Sequence, residues 1–150
     1  MKIKVEWGTK KYKADPAIVA KEIDSIGSEV YPQQIVDYAT SHKGSELYKC
    51  FTWNNNVAAD KWRLYEARQI VDSLKITYSE NENGAENEQT VRLMLRTDTV
   101  GGYKQTLVII RDVEERQKML SMAISELNAF RAKYKALSEL EAVFEAIDLL

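Results

Sequence analysis

The sequence predicts an α+β protein with a helical N-terminal half, a small antiparallel sheet and a long C-terminal helix. Three observations carry this. Residues 51–76 read as one long helix, and residues 91–96, which alternate along a strand, are followed across a Gly-Gly turn by a paired strand over 103–110. Residues 120–137 repeat apolar side chains at alternating steps of three and four. At 150 residues the simplest organisation is a single domain spanning 1–150, helical over about 14–75, with the sheet and C-terminal helix over about 76–150.

Taken in order, Ile3, Val5 and Trp7 alternate with Lys2, Lys4 and Glu6, the pattern of a half-buried strand ended by Gly8-Thr9. Asp15-Pro16 opens a helix, the aspartate as cap and the proline where its missing N–H is harmless. Val19, Ile23 and Ile26 form its apolar stripe and Gly27 stops it. A second short helix starts near Pro32, carries Ile35, Val36 and Ala39, and ends before Gly44. The pair fits a helix-turn-helix or a plain packing unit. The latter is preferred, because Tyr31 to Ser41 contains Asp37 and no Lys or Arg to read DNA.

The long helix follows Asn54-Asn55-Asn56, side chains able to accept from the free N–H groups of a first turn, with Trp53 placed to fold back as a staple. Leu64, Ala67, Ile70, Val71 and Leu74 fall on one side, and Ala58, Trp62 and Tyr65 on nearly the opposite one. Two apolar stripes imply a helix buried on two sides; an exposed aromatic patch for a partner is the other reading of Trp62 and Tyr65. Lys75 to Ser79 turns extended, and the glutamate-rich 79–90 reads as a polar loop or hairpin tip. Val91, Leu93 and Leu95 make a strand, Gly101-Gly102 a turn, and Tyr103 to Ile110 the paired strand. Asp112 caps the last long helix, whose seam is Leu120, Ala123, Leu127, Phe130, Tyr134 and Leu137. Its phase breaks there, and Ser138 with Glu141 at capping-box spacing predicts a restart.

The 45% apolar and 29% charged content suits a globular domain with a real core. No apolar run is long enough to span a bilayer, the first residues lack a signal core, and the lone Cys50 excludes an intrachain disulfide; a cytosolic protein is expected. His42 sits at a helix end without catalytic partners, and Cys50 has no second histidine to activate it. One His and one Cys leave no zinc site, and the acidic 80–88 segment lacks the order of a calcium loop, so neither metal nor cofactor is expected. Gly101-Gly102 lacks the following helix and GK[ST] of a phosphate loop.

Charge is distributed unevenly around a net −2. Lys2, Lys4, Lys10, Lys11 and Lys13 face only Glu6 in the first thirteen residues, and Arg92, Arg96 and Lys104 lie on the predicted strands. These two groups are the candidate nucleic-acid- or anion-binding residues. On the C-terminal helix Leu120, Leu127, Phe130, Tyr134 and Leu137 are the candidate oligomer interface, a homodimer in the simplest case.

The block Phe51-x-Trp53-Asn54-Asn55, Ala58-Ala59-Asp60, Trp62-Arg63 and Ala67-Arg68 resembles that of a group of small phage and prophage proteins. The C-terminal Glu126-Leu127-x-Ala129-Phe130-Arg131-x-Lys133-Tyr134, with Leu137 to Leu140 and Val143-Phe144, is similar to the same group. Where that group carries Ser-Pro-Leu-His, this chain has Ser45-Glu46-Leu47-Tyr48, so a role for that histidine does not transfer. The resemblance implies a mobile-element origin and no reaction. The expected function is a non-enzymatic accessory protein that binds DNA or a protein handling nucleic acid, of regulatory or anti-defence type. The alternative is an assembly protein that oligomerises through the C-terminal helix.

Overall fold

A computed structural model describes residues 2–53, 57–82, 85–97 and 101–150, with the side chains at 57, 58, 81, 82 and 85 left aside. It has the expected α+β architecture, and the chain divides into two compact units, Met1–Val108 and Ile109–Leu150.

In the first unit, β1 (Ile3–Trp7) leads to α1 (Pro16–Ile26), β2 (Glu29–Val30), α2 (Pro32–Ser41) and α3 (Val57–Ser73). The hairpin β3 (Leu74–Glu82) and β4 (Ala85–Arg92) follows, then β5 (Met94–Arg96) and β6 (Tyr103–Gln105), and α4 (Thr106–Arg111) spans the boundary between the units. The strands form two antiparallel sheets, β1-β3-β4 and β2-β6-β5. In the first, Val5 pairs with Ile76 and Ile76 with Val91, so one face is apolar. The other carries Lys4, Thr77 and Thr90 side by side, and the two threonine hydroxyls lie 2.8 Å apart. Leu93 joins the sheets: its N–H donates to the Leu74 carbonyl (2.9 Å) and its carbonyl accepts from the Thr106 N–H (2.8 Å). Helix α2 packs on α3, α1 on β1 and α2, and α3 on β5. Val19, Ile23, Ile35, Leu47, Ile70, Val71 and Leu74 fill the core between them.

Local signals behave as the sequence implies at several ends. Asp15 Oδ1 accepts from the N–H of Ala17 (2.9 Å) and Ile18 (3.5 Å), capping α1. Asp112 does the same for α5 (Val113–Tyr134) through the Glu115 N–H (2.9 Å). The asparagine run 54–56 lies outside the described residues.

Three expectations are corrected. The two-sided burial of α3 fails: Ala59, Glu66, Ala67, Ile70 and Val71 are buried, whereas Trp62 is 51% and Tyr65 45% exposed. Buried and exposed residues fall on opposite arcs of one amphipathic helix. The glutamate-rich 79–90 segment is not a loop, because register continues to Glu82↔Ala85 and leaves only residues 83–84 between the strands. Those two lie outside the described residues, and their Asn-Gly sequence is a strong hairpin signal. Finally, the strand begun at Tyr103 ends at Gln105 and the apolar run LVII is helical. Thr106 donates its hydroxyl to the Arg92 carbonyl (2.6 Å) and its N–H to Leu93, which draws the chain out of the sheet. Short apolar runs suit either state, and tertiary hydrogen bonding decides here.

The second unit holds α5, a 3-10 turn over Ser138–Leu140 and α6 (Glu141–Asp148). The restart after Leu137 is present, without a side-chain cap from Ser138. Helix α6 packs back on α5, with the Phe130 and Phe144 rings 6.5 Å apart and Arg131 paired to Asp148. No residue of α5 is buried.

Candidate nucleic-acid interface

The site is built on the outer arc of α3, where Lys61, Trp62, Tyr65, Arg68 and Asp72 recur at spacings of one, three, three and four. Their inner neighbours hold the helix in place. Both Glu66 carboxylate oxygens accept from the Thr52 N–H (3.3 and 3.2 Å), although the side chain is buried. Trp53 stacks on Tyr48 (4.5 Å between ring centroids) and carries the Arg63 guanidinium over its face at 5.1 Å. Phe51, Trp53, Arg63 and Ala67 pack; Trp62 and Arg68 face outward.

Trp62 and Tyr65 lie 5.2 Å apart with rings tilted by 38°. Gln69 Nε2 donates to Tyr65 Oη (2.5 Å), and Gln69 Oε1 accepts from Lys11 Nζ (2.9 Å). The lysine arrives on the segment after β1, which is anchored by Trp7 Nε1 donating to the Ala14 carbonyl (2.7 Å) and by the Trp7–Tyr12 ring contact (4.5 Å). Tyr12 therefore serves as an anchor in an irregular segment. A groove of about 330 Å³, lined by Thr9, Lys11, Tyr12, Gln69, Asp72 and Ser73, continues the aromatic pair along the helix.

Arginines occupy the other side. Arg92, at the end of β4, lies 3.6 Å from Asp72, and both stay largely in solvent. Tyr103, buried on β6, has its phenol pushed above the usual range by burial and then by Asp72, while Arg96, Arg68 and Arg92 pull it down. Three guanidinium groups from three elements thus act on one phenol. Gly101, with φ +85°, would place an added Cβ 3.4 Å from Arg96 Nη2.

The candidate residues are accordingly separated. Arg92 and Arg96, with Arg68, all bear electrostatically on Tyr103, whereas Lys104 pairs across from Leu95 and reaches Glu29 at 3.7 Å. A cross-strand pair shares a sheet face, so Lys104 and Arg96, one register step apart, point to opposite sides. Lys2 and Lys4 line a separate pocket of about 220 Å³ with Glu86 and Glu88, where acidic neighbours offset their charge. Lys11 joins α3, with Lys10 and Lys13 exposed on either side in sequence. Of the two readings of Trp62 and Tyr65 the second core stripe fails and the exposed patch holds; the residues that sequence reasoning missed are Lys61 and Arg68 beside them. The available signal was that both rings sit in the arc carrying Lys61, Arg68 and Asp72.

His42 stacks on Tyr38 (4.0 Å) with Nδ1 2.8 Å from the Tyr38 carbonyl. Burial, then Glu22 and Glu46, pushes the Cys50 thiol up to about 12. Among the described residues no three His, Cys, Asp or Glu side chains are placed to share a metal, and no helix is long and apolar enough to cross a membrane. No protein family, curated protein or solved structure matches this chain.

Proposed function

We propose that the protein is a non-enzymatic nucleic-acid-binding protein that uses the outer arc of α3. One observation carries this reading: two exposed aromatic rings share the outer arc of α3 with Lys61 and Arg68, with Lys11 hydrogen-bonded to Gln69 beside them and Asp72, the acidic member of the arc, paired with Arg92. Cations neutralise phosphates and release counterions, which makes such binding strong at low salt. Acidic side chains elsewhere give the whole chain its net −2, so affinity depends on this one face. The resemblance of the α3 and α5 blocks to small phage and prophage proteins supports an accessory role in a host cytosol, regulatory or anti-defence in kind. Gel-shift and anisotropy titrations at several salt concentrations test the reading. Wild type should bind DNA with a steep salt dependence, and a Lys11→Ala/Arg68→Ala variant should bind less tightly with a shallower one. No binding at low salt would remove the proposal.

A second reading, assembly through the C-terminal helix, has its own observation. Val113, Leu120, Leu127 and Phe130 are each at least 38% exposed along one stripe of α5, and Leu137, just beyond its end, is exposed as well. Solution mass together with unchanged DNA mobility would favour it.

A further inference from the structure

We infer that the nucleic acid taken by this face is single-stranded, with Trp62 and Tyr65 as the platform on which its bases stack. The inference rests on the preceding reading and adds the form of the ligand. In a duplex the base faces are already covered by their neighbours, and the molecule offers phosphates and groove edges. Flat rings standing out of a helix have no counterpart there, whereas every unpaired base presents a π-face.

The geometry around the rings fits this use. Each ring is about half exposed, so a base can reach it without displacing core side chains. The two rings lie 5.2 Å apart, tilted by 38° against one another. The hydrogen-bonded chain Lys11–Gln69–Tyr65 fixes the phenol edge and holds an ammonium group beside it (2.9 and 2.5 Å). Arg68, one helical turn beyond Tyr65, supplies a guanidinium that can pair with a phosphate or stack in turn. A strand laid along the arc would thus meet aromatic faces flanked by cations, the combination that binds unpaired bases with little sequence preference. A helix reading the major groove relies instead on side chains that hydrogen-bond base edges. On this arc Asp72 is engaged by Arg92 and Gln69 by Tyr65 and Lys11.

The test compares a short oligothymidylate with a duplex of equal length, using the full chain at low salt. Wild type should bind the single strand more tightly, with quenching of tryptophan fluorescence. Trp62→Ala and Tyr65→Ala should each weaken single-strand binding roughly ten- to hundredfold. Circular dichroism should leave both variants folded, since the rings are exposed. Trp62→Phe should keep most of the affinity but lose the quenching, which locates the signal at residue 62. Duplex binding equal to or tighter than single-strand binding, with both alanine variants unchanged, would overturn the inference while leaving the nucleic-acid reading intact. No binding of either form would overturn both.

Discussion

Lys11 donates its ammonium to Gln69 Oε1 at 2.9 Å, joining the segment after β1 to the exposed side of α3 across 58 residues of sequence. A cation held in this way is presented to ligands at lower entropic cost than a free lysine. Its partner across the arc, Asp72, works in the opposite direction by neutralising Arg92.

The pair predicts opposite effects on nucleic-acid affinity. Lys11→Ala should weaken binding and lower the salt slope by roughly 0.7 to 0.9 per lost phosphate contact. Asp72→Asn should free Arg92 and tighten binding. If Asp72→Asn weakens binding instead, the arc is not the interface, and the titration that measures one variant measures both.

Two tryptophans on neighbouring stretches should respond very differently to truncation. Trp53 is held by Tyr48, Phe51 and Arg63, and its indole N–H donates to the Tyr48 carbonyl (2.9 Å). Trp53→Ala should cost about 3 kcal/mol or more, as expected for a packed aromatic. Trp62→Ala should lie within roughly 0.5 kcal/mol of wild type, as for an exposed surface site. Urea unfolding of both variants separates them, and equal losses would contradict the exposure of Trp62.

How much of this could be read in the sequence depends on where the deciding contacts lie. Helix caps at Asp15 and Asp112 act within three residues, so they were legible. The break after Leu137 is likewise a local change of phase. The end of β6 was not, because it depends on Thr106 meeting Arg92 and Leu93 from the preceding strands. Nor was the direction of Lys104, which follows from its register opposite Leu95. The binding face was half legible: the lysine run stood out, but its junction with α3 is a contact between residues 58 apart. Trp62 and Tyr65 misled because helical spacing reveals which residues share a face and leaves open which face is covered.

Gly102 leaves no room for a side chain. An added Cβ would lie 2.5 Å from Glu29 Oε1 and 3.1 Å from Tyr31 Cε1. Glu29 also accepts from the Thr97 hydroxyl (2.7 Å) and the Tyr31 hydroxyl (3.3 Å), so moving it disturbs both of these hydrogen bonds. Gly102→Ala should destabilise the protein by about 1–3 kcal/mol, the usual cost of overpacking. Thermal melting that places the variant at the wild-type temperature would refute the crowding argument.

Alkali should weaken the fold ahead of general denaturation. Burial holds the Cys50 thiol at about 12 against an ordinary 9.0, and the Tyr12 phenol at about 12 against 10.0. Both groups ionise at lower pH once unfolded, so the stability they contribute is complete below about pH 9 and is lost progressively toward pH 12. Cys50→Ser should flatten the decline in unfolding free energy across that window. The native thiol should also react slowly with alkylating reagents at neutral pH. Rapid labelling under native conditions would show that Cys50 is not held neutral by burial.

The last prediction concerns self-association through α5. Val113, Leu120 and Leu127 stand exposed at one heptad position of α5, and Phe130 at the other, although such a seam normally meets a partner. Its residues also favour one orientation. In a parallel pair Arg116 would oppose its own copy. In an antiparallel pair Leu120 meets Phe130, Ala123 meets Leu127, and Arg116 meets Tyr134, where a guanidinium can lie on the ring. Opposed helix dipoles add to the antiparallel arrangement. Phe130 already touches Phe144 at 6.5 Å, so each chain would contribute an α5–α6 hairpin. Sedimentation equilibrium at micromolar concentration should give a dimeric mass for wild type and a monomeric mass for Phe130→Glu. Because that substitution also faces Phe144, Leu120→Glu serves as the second variant, with far-ultraviolet dichroism checking that both remain helical. A monomeric wild type sinks the dimer, whatever the variants do.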